Sequence, residues 1–338
     1  MIDIYPNYKQ NQKNSTQNFF EVLKTALGHE IISLTCGRSA LLAAVQALSL
    51  SRQDEILVPP FVSQCVLSAL SRSSFPTLSA SSRTKAIMVL HQFGFPQNLA
   101  AIEEKARENN WAIINNASHS LMTKIKDRSI LEWGDVTVVS LSKIYPCILG
   151  GGLMTRRKEL YQKVQAKLQA KDSKDQLRVD EAFKILQSAK AGLLKDDADF
   201  EISKVYGYLP DLLSVPAGVF QALPTNVKEV SADREHRKNI WAYFQKNLPE
   251  HIPQLKGDVD LAPFAVPVRV PDVLLRKLPA ILKARFNIDI PILHFDYACN
   301  MLYPDYQKVL MIGCHSQWDL DVVQGIGETI KDSIYERI

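Results

Sequence analysis

From about Glu30 to Thr155 short β-rich runs alternate with longer amphipathic stretches, and this alternation limits the fold more than any other feature of the chain. Ile31-Ile32-Ser33-Leu34 reads as a short strand, and Ser39 as the N-cap of a helix over residues 40–50. Residues 54–58 read as a strand stopped by Pro59-Pro60, with a helix over 63–70 behind it. A strand at 86–90, a helix at 99–109 and a strand at 111–114 follow, and strands at 136–141 and 152–155 complete the series. Nearly continuous apolar strands separated by helices predict an α/β fold with a mixed, mainly parallel sheet of about seven strands, covered on both faces. In such sheets ligands bind beyond the carboxyl ends of the strands, so the residues just after each strand carry the chemistry.

Past Arg156 the pattern changes. Residues 158–197 are charged and helical, with Leu160, Val164 and Leu168 on one stripe and a break near 171–175. Residues 207–224 are punctuated by Pro and Gly and read as a connection. A polar helix over 226–248 leads into strands at 266–270 and 309–312 and a closing helix over 319–338. A chain of 338 residues exceeds one ordinary core. The division expected is a large domain over 14–225 and a smaller C-terminal α+β domain over 226–338.

Charge and cysteine usage exclude several classes. The 40 basic and 36 acidic residues leave a net charge of only +4, and no basic stretch is interleaved with aromatics, so no nucleic-acid partner is expected. Five scattered cysteines, odd in number and never in a CxxC pair, point to reduced thiols in a cytoplasm rather than a disulfide framework or a metal site. Met1-Ile2-Asp3-Ile4-Tyr5-Pro6 lacks the basic and apolar regions of a signal peptide. No apolar run approaches the roughly 18 residues of a membrane span. The expectation is a soluble cytoplasmic protein with no membrane partner.

Four segments fall at strand ends. Cys36-Gly37-Arg38-Ser39-Ala40-Leu41 is a turn feeding a helix, whose free N–H groups, hydroxyl and arginine suit a phosphate; an ordinary capped turn has the same pattern. Asn115-Asn116-Ala117-Ser118-His119-Ser120 puts polar groups at a strand tip, or is simply a polar turn. Val139-Ser140-Leu141-Ser142-Lys143 ends an apolar strand on a lysine, with Gly150-Gly151-Gly152 close behind. A partly desolvated amine beside a phosphate site can form an imine with an aldehyde cofactor, whereas an edge lysine can also snorkel to solvent. Val58-Pro59-Pro60-Phe61-Val62-Ser63-Gln64-Cys65 forms one wall of any cleft there.

In order and spacing, these segments resemble the DegT/DnrJ/EryC1/StrS family of fold-type I pyridoxal 5′-phosphate (PLP) enzymes, mostly nucleotide-sugar aminotransferases. The resemblance spans about Thr35 to Thr155 and includes Asp54-Glu55-Ile56-Leu57-Val58-Pro59 and His91-Gln92-Phe93-Gly94-Phe95-Pro96. Gly134-Asp135, Ser140-Leu141-Ser142-Lys143 and Gly151-Gly152 resemble the family's segment around its Schiff-base lysine. The resemblance implies that Lys143 is the catalytic, imine-forming residue. Gly37, Arg38, Ser39 and Ser140 would surround the phosphate, His119 would lie near the ring hydroxyl, and Asn116 would face the pyridine nitrogen. It also implies a homodimer that takes an amino donor and a keto acceptor, the latter a sugar nucleotide or a related compound of surface-polysaccharide or secondary metabolism.

Three departures bear on activity. Asn116 stands where the family has an aspartate that keeps the pyridine nitrogen protonated, and a neutral amide lacks that charge. Ser63 lies where many members place an aromatic ring over the cofactor. The family's Asn-Tyr-Arg segment is represented only by Tyr206-Gly207-Tyr208-Leu209-Pro210-Asp211. The alternative to an enzyme is therefore a non-catalytic relative with a degraded cofactor site, acting as a binding or regulatory subunit. His294 and Cys147 are left as packing residues.

Overall fold

The computed structural model describes residues 5–6, 19–191, 193, 198–216 and 223–335. After helix α1 (Phe19–Leu27) the chain enters β1 (Ile32–Leu34), α2 (Gly37–Ala47), β2 (Glu55–Leu57), α3 (Gln64–Leu70), β3 (Phe75–Thr77) and β4 (Thr84–Leu90). It continues through α4 (Leu99–Asn109), β5 (Ala112–Asn116), the short strands β6 (Lys124–Ile125) and β7 (Arg128–Ser129), β8 (Val136–Ser140), α5 (Leu141–Ile144) and β9 (Gly151–Met154). Seven strands form one sheet in the order β1-β9-β8-β5-β4-β2-β3. All its pairings are parallel except those of β9, which runs antiparallel to both β8 and β1. The mixed, mainly parallel sheet expected from the alternation is present.

Burial explains why the central strands read as unbroken apolar runs. In β4, Ala86 and Met88 pack toward α2 and α3, while Ile87 and Val89 pack toward the opposite core with Phe93 and Phe95. Both faces of the sheet are covered, so alternation with polar residues is absent. The same parity puts Asn115 on one face of β5 and Asn116 on the other.

Helices α6 (Lys158–Gln169) and α7 (Asp175–Lys190) flank the expected break, and α8 (Ala198–Tyr208) follows. The 21-residue α9 (Val227–Asn247) leads to β10 (Val259–Asp260), β11 (Ala265–Val268), α10 (Asp272–Phe286), β12 (Ile292–Asp296), β13 (Tyr306–Gly313) and α11 (Leu320–Tyr335). Strands β11, β13 and β12 make a small antiparallel sheet, while β10 joins β6 and β7. The two parts of the chain meet closely at Gly94 (φ 100°), where an added Cβ would lie 2.8 Å from Phe264 N. The end of the connection read at 207–224 and the tip of the closing helix fall partly outside the described residues.

One boundary and one helix differ from the sequence reading. Helix α2 begins at Gly37 with Cys36 as its N-cap, so Ser39 lies inside the first turn rather than capping it. Helix α10 carries Pro279 in its interior, and the apolar Leu274, Leu275, Leu278 and Leu282 hold it to the core despite that residue.

Candidate active site

The carboxyl end of β8 and the amino end of α2 are pressed together. A Cβ on Gly37 would sit 2.8 Å from Ser140 Cβ, and one on Gly151 would sit 2.1 Å from the carbonyl carbon of Cys36. Only glycine permits this approach of backbones. The bonds Gly150 N–H to Thr35 O (2.8 Å) and Leu141 N–H to Gly150 O (2.9 Å) lock the same corner. Cys36 makes no side-chain cap bond, so the first N–H groups of α2 stay available to an anion.

Lys143 lies on the single turn α5, directly after β8. Among the described residues its half-buried amine makes no hydrogen bond or ion pair. Burial pushes its pKa below the ordinary lysine range; Cys65 opposes that shift and Arg38 adds to it. His119 is buried, and burial followed by the charge of Lys143 holds its pKa well below the ordinary 6.5. Its ring stacks on Phe264 (centroids 4.6 Å apart) and Phe93 (5.6 Å), which also face each other at 6.4 Å, and its Nε2 is buried with no partner among the described residues. Lys143, Arg38, Cys65 and His119 therefore share one electrostatic neighbourhood.

Asn116, at the end of β5, accepts the backbone N–H of Ser118 on Oδ1 at 3.2 Å, which leaves its amide nitrogen as the donor side. Its neighbour Asn115 works on the opposite face. There it donates to Ile130 O (2.8 Å) and Thr137 Oγ1 (3.0 Å) and accepts from His91 Nε2 (2.7 Å). Ser140 is buried, with its hydroxyl 3.4 Å from that of Ser142.

The other expected residues are engaged differently. Ser39 donates its hydroxyl to Leu209 O at 3.0 Å, and the guanidinium of Arg38 lies 4.4 Å from the centre of the Tyr206 ring. Arg72 holds Gly207 O and Asp211, Thr35 donates to Ser214 O (2.6 Å), and Asp175 accepts from the N–H of Ser214 (2.8 Å). The 206–214 segment is thus laid across the start of α2 of its own chain. Ser63 is exposed and stands at the N-cap position of α3 without a side-chain cap bond, its hydroxyl 3.1 Å from Cys65 Sγ.

Phe61, two residues earlier and at φ 57°, stacks on His294 (4.2 Å, 10°) and meets the edge of Tyr306, whose hydroxyl donates to Pro60 O at 2.9 Å. Sequence reasoning placed Phe61 and Cys65 only in the wall segment, without a role, and set His294 aside as packing. Position after a strand marked the first two, whereas His294 arrives from a distant strand and carried no such mark.

A cleft of about 490 Å³ opens at the other, amino end of the strands. Its charges are largely paired: Arg157 bridges Asp135 (2.8 Å) and Glu159 (2.7 Å), and Lys163 donates to Ala47 O (3.0 Å) and Ser49 Oγ (2.7 Å). It lacks an unpaired, partly buried amine such as the one at the carboxyl end. Among the described residues no group of three His, Cys, Asp or Glu side chains could hold a metal, and no helix is long and apolar enough to cross a membrane.

A family model described as "Putative PLP-dependent aminotransferase" matches residues 19–333. The chain belongs to this family. The dTDP-4-amino-4,6-dideoxy-D-glucose transaminase of Shigella dysenteriae is 30% identical over 159 residues, covering 41% of this chain and 43% of that protein. The GDP-perosamine synthase of Escherichia coli O157:H7 is 26% identical over 145 residues, covering 37% and 40%. The chain thus aligns with about two-fifths of the length of these curated relatives.

Among solved structures, the aminotransferase TlmJ of Streptoalloteichus hindustanus superposes with a TM-score of 0.66 at 15% identity over 100% of both chains. Helicobacter pylori PseC, an aminotransferase of pseudoaminic acid biosynthesis, gives 0.63 at 15% identity over 98% of each. A DegT DnrJ EryC1 StrS aminotransferase of Brucella abortus gives 0.61 at 15% identity over 94% of this chain and 89% of that one. The fold is that of the fold-type I aminotransferases, and this family member is a distant relative of the DegT/DnrJ/EryC1/StrS group.

Proposed function

We propose that this family member is a PLP-dependent aminotransferase whose keto substrate is a sugar nucleotide or a related compound, with Lys143 as the reacting amine. The observation that carries the reading is the Lys143 amine itself: half-buried, without a partner among the described residues, and set at the end of β8 beside Arg38 and His119. The residues present fit the cofactor. The glycine-lined corner and the uncapped start of α2 suit a phosphate, and the unpartnered His119 Nε2 suits a ring oxygen. When bound, PLP supplies an aldehyde that captures amines and a ring that withdraws electrons from the amino-bearing carbon.

Each residue then has a task. Gly37, Arg38, Ser39 and Ser140 orient the phosphate end, with the N–H groups of α2 carrying most of that load because Ser39 already donates to Leu209 O. His119 donates a neutral N–H to the ring hydroxyl. Asn116 offers its amide N–H to the ring nitrogen without adding charge. Lys143, its basicity tuned by burial, accepts and returns the proton at the substrate's amino-bearing carbon. The large unit over 14–225 supplies these groups, the smaller unit over 226–338 closes the mouth through His294, and two copies pair as a homodimer.

A second reading has its own support. Arg38 and Ser39 are engaged in cis by Tyr206 and Leu209, and Asn116 brings no charge, which suits a non-catalytic binding or regulatory subunit. Adding PLP to the purified protein separates the two readings. The enzyme reading expects a visible absorbance band that borohydride removes and that Lys143→Ala never develops; no band in the wild type gives the second reading its place. Light scattering at micromolar concentration tests the dimer, and a monomer mass counts against it.

A further inference from the structure

We propose that Arg237 is a positioning residue for Lys143, fixing the turn that carries the amine through a bond to the Ile144 carbonyl. The proposal rests on Lys143 being the reactive amine. Arg237 lies on α9, well apart in sequence from the site, and is 1% exposed. A guanidinium so deeply buried is tolerated only when its N–H groups are met. Here Nε donates to Asp233 at 2.8 Å, Nη1 to Pro263 O at 3.3 Å, and Nη2 to Ile144 O at 2.9 Å.

The last of these bonds matters because α5 is so short. A four-residue turn, closed at its end by Tyr145 N–H to Leu141 O at 2.8 Å, leaves its final carbonyls without helical partners. Gly150 holds the start of the turn and Arg237 holds its end, so the residue between them, Lys143, is fixed from both sides. An apolar side chain of equal volume would fill the space but would leave Ile144 O unpaired and free to rotate. Asp233, Tyr145 and Cys314 surround the guanidinium, and Arg38, Cys65 and His119 surround the amine.

The test uses the full chain without cofactor. Lys143 is labelled by reductive methylation with formaldehyde and cyanoborohydride from neutral to alkaline pH, and its modification is read by peptide mass spectrometry. In the wild type Lys143 should label ahead of the exposed lysines at neutral pH. Arg237→Met should loosen the turn and admit water to the amine. Its labelling midpoint should then rise toward the ordinary lysine range, and its neutral-pH rate should fall about tenfold. Arg237→Lys, which keeps a charge for Asp233 and one donor for the carbonyl, should restore much of that rate. If Arg237→Met melts earlier but labels with the wild-type midpoint and rate, the residue is only core and the proposal is wrong. Should Arg237→Met fail to fold, Arg237→Gln is read in the same way, and an unchanged midpoint there overturns the proposal. Because no PLP is present, a wild type that never binds PLP would sink the aminotransferase reading while a shifted midpoint still upheld the positioning role.

Discussion

The backbone N–H of Phe93 donates to His119 Nδ1 at 3.2 Å, and this bond decides which imidazole nitrogen carries the proton. With the ring held neutral by burial, Nε2 is a donor, and it lies buried without a partner among the described residues. A buried N–H without an acceptor costs roughly 1–3 kcal/mol, which a ligand oxygen would relieve. His119→Phe keeps the stack with Phe264 but removes the donor. It should weaken PLP binding by about 1–2 kcal/mol, roughly five- to thirtyfold, and it should also lower the melting temperature of the cofactor-free protein, because the Phe93 N–H loses its acceptor. Absorbance titration alongside thermal melts checks both halves, and equal affinity in the two proteins would dismiss the donor role.

His91 makes the acid side of the stability curve predictable. It is fully enclosed, with Nε2 bonded to Asn115 Oδ1 (2.7 Å) and Nδ1 accepting the Gln97 N–H (3.1 Å). Burial pulls its pKa from 6.5 down to about 4, against the opposing bond from Asn115. Below 6.5 the unfolded chain binds a proton that the folded chain refuses, so stability falls as pH drops from 6.5 toward 4. The full loss from this residue is roughly 3 kcal/mol. His119, also depressed, steepens the same limb. Denaturant unfolding at neutral pH and near pH 4.5 should show the loss, and His91→Gln should flatten the slope while lowering stability at neutral pH.

Much of this arrangement was legible because strand ends in a parallel sheet are local in sequence. Lys143, Gly37, Asn116 and His119 each follow a β-rich run within a few residues, so their position marked them. What was not legible depends on long-range packing. Ser39 looks like a cap, yet its hydroxyl is taken by Leu209, 170 residues away. Arg237 reads as one charge among many on a polar helix, and only the fold brings it to Ile144 O. Helix α10 was missed because Pro279 interrupts its pattern, although four leucines anchor it to the core. The short pairing of β10 with β6 has too few residues to show a period.

Two glycines should respond oppositely to alanine. At Gly151 the new Cβ would fall 2.1 Å from the Cys36 carbonyl carbon, in backbone that has no room to move. Gly151→Ala should destabilise by about 3 kcal/mol or more and push the start of α2 off β9, with loss of PLP binding. Gly207 lies within α8 with nothing within 4 Å of its Cβ position. Gly207→Ala should stabilise by roughly 0.5–1 kcal/mol. Thermal melts of both variants decide the matter, and a Gly151→Ala protein with wild-type stability would contradict the packing described at this corner.

Asn116 separates a working enzyme from a relic. Its Oδ1 is committed to the Ser118 N–H at 3.2 Å, and its side chain is nearly inaccessible, so an aspartate could keep that bond on one oxygen. The other oxygen would then carry charge toward whatever the amide nitrogen now faces. If that is a pyridine nitrogen, Asn116→Asp pairs with a protonated ring, tightens PLP binding about tenfold, and raises the rate of any transamination half-reaction. Without the ring, the same carboxylate is desolvated beside a sheet, and the cofactor-free variant should lose about 1–3 kcal/mol at neutral pH. Burial would raise the pKa of that carboxyl above its unfolded value, so the loss should shrink as pH falls and the group takes up its proton. Melting curves with and without PLP, at neutral and mildly acidic pH, therefore give a four-way signature: lowest stability without cofactor at neutral pH, recovered by either acid or PLP. Recovery by acid alone, with PLP affinity unchanged, would place Asn116 away from the ring nitrogen and remove the main reason for reading this end of β5 as part of the cofactor site.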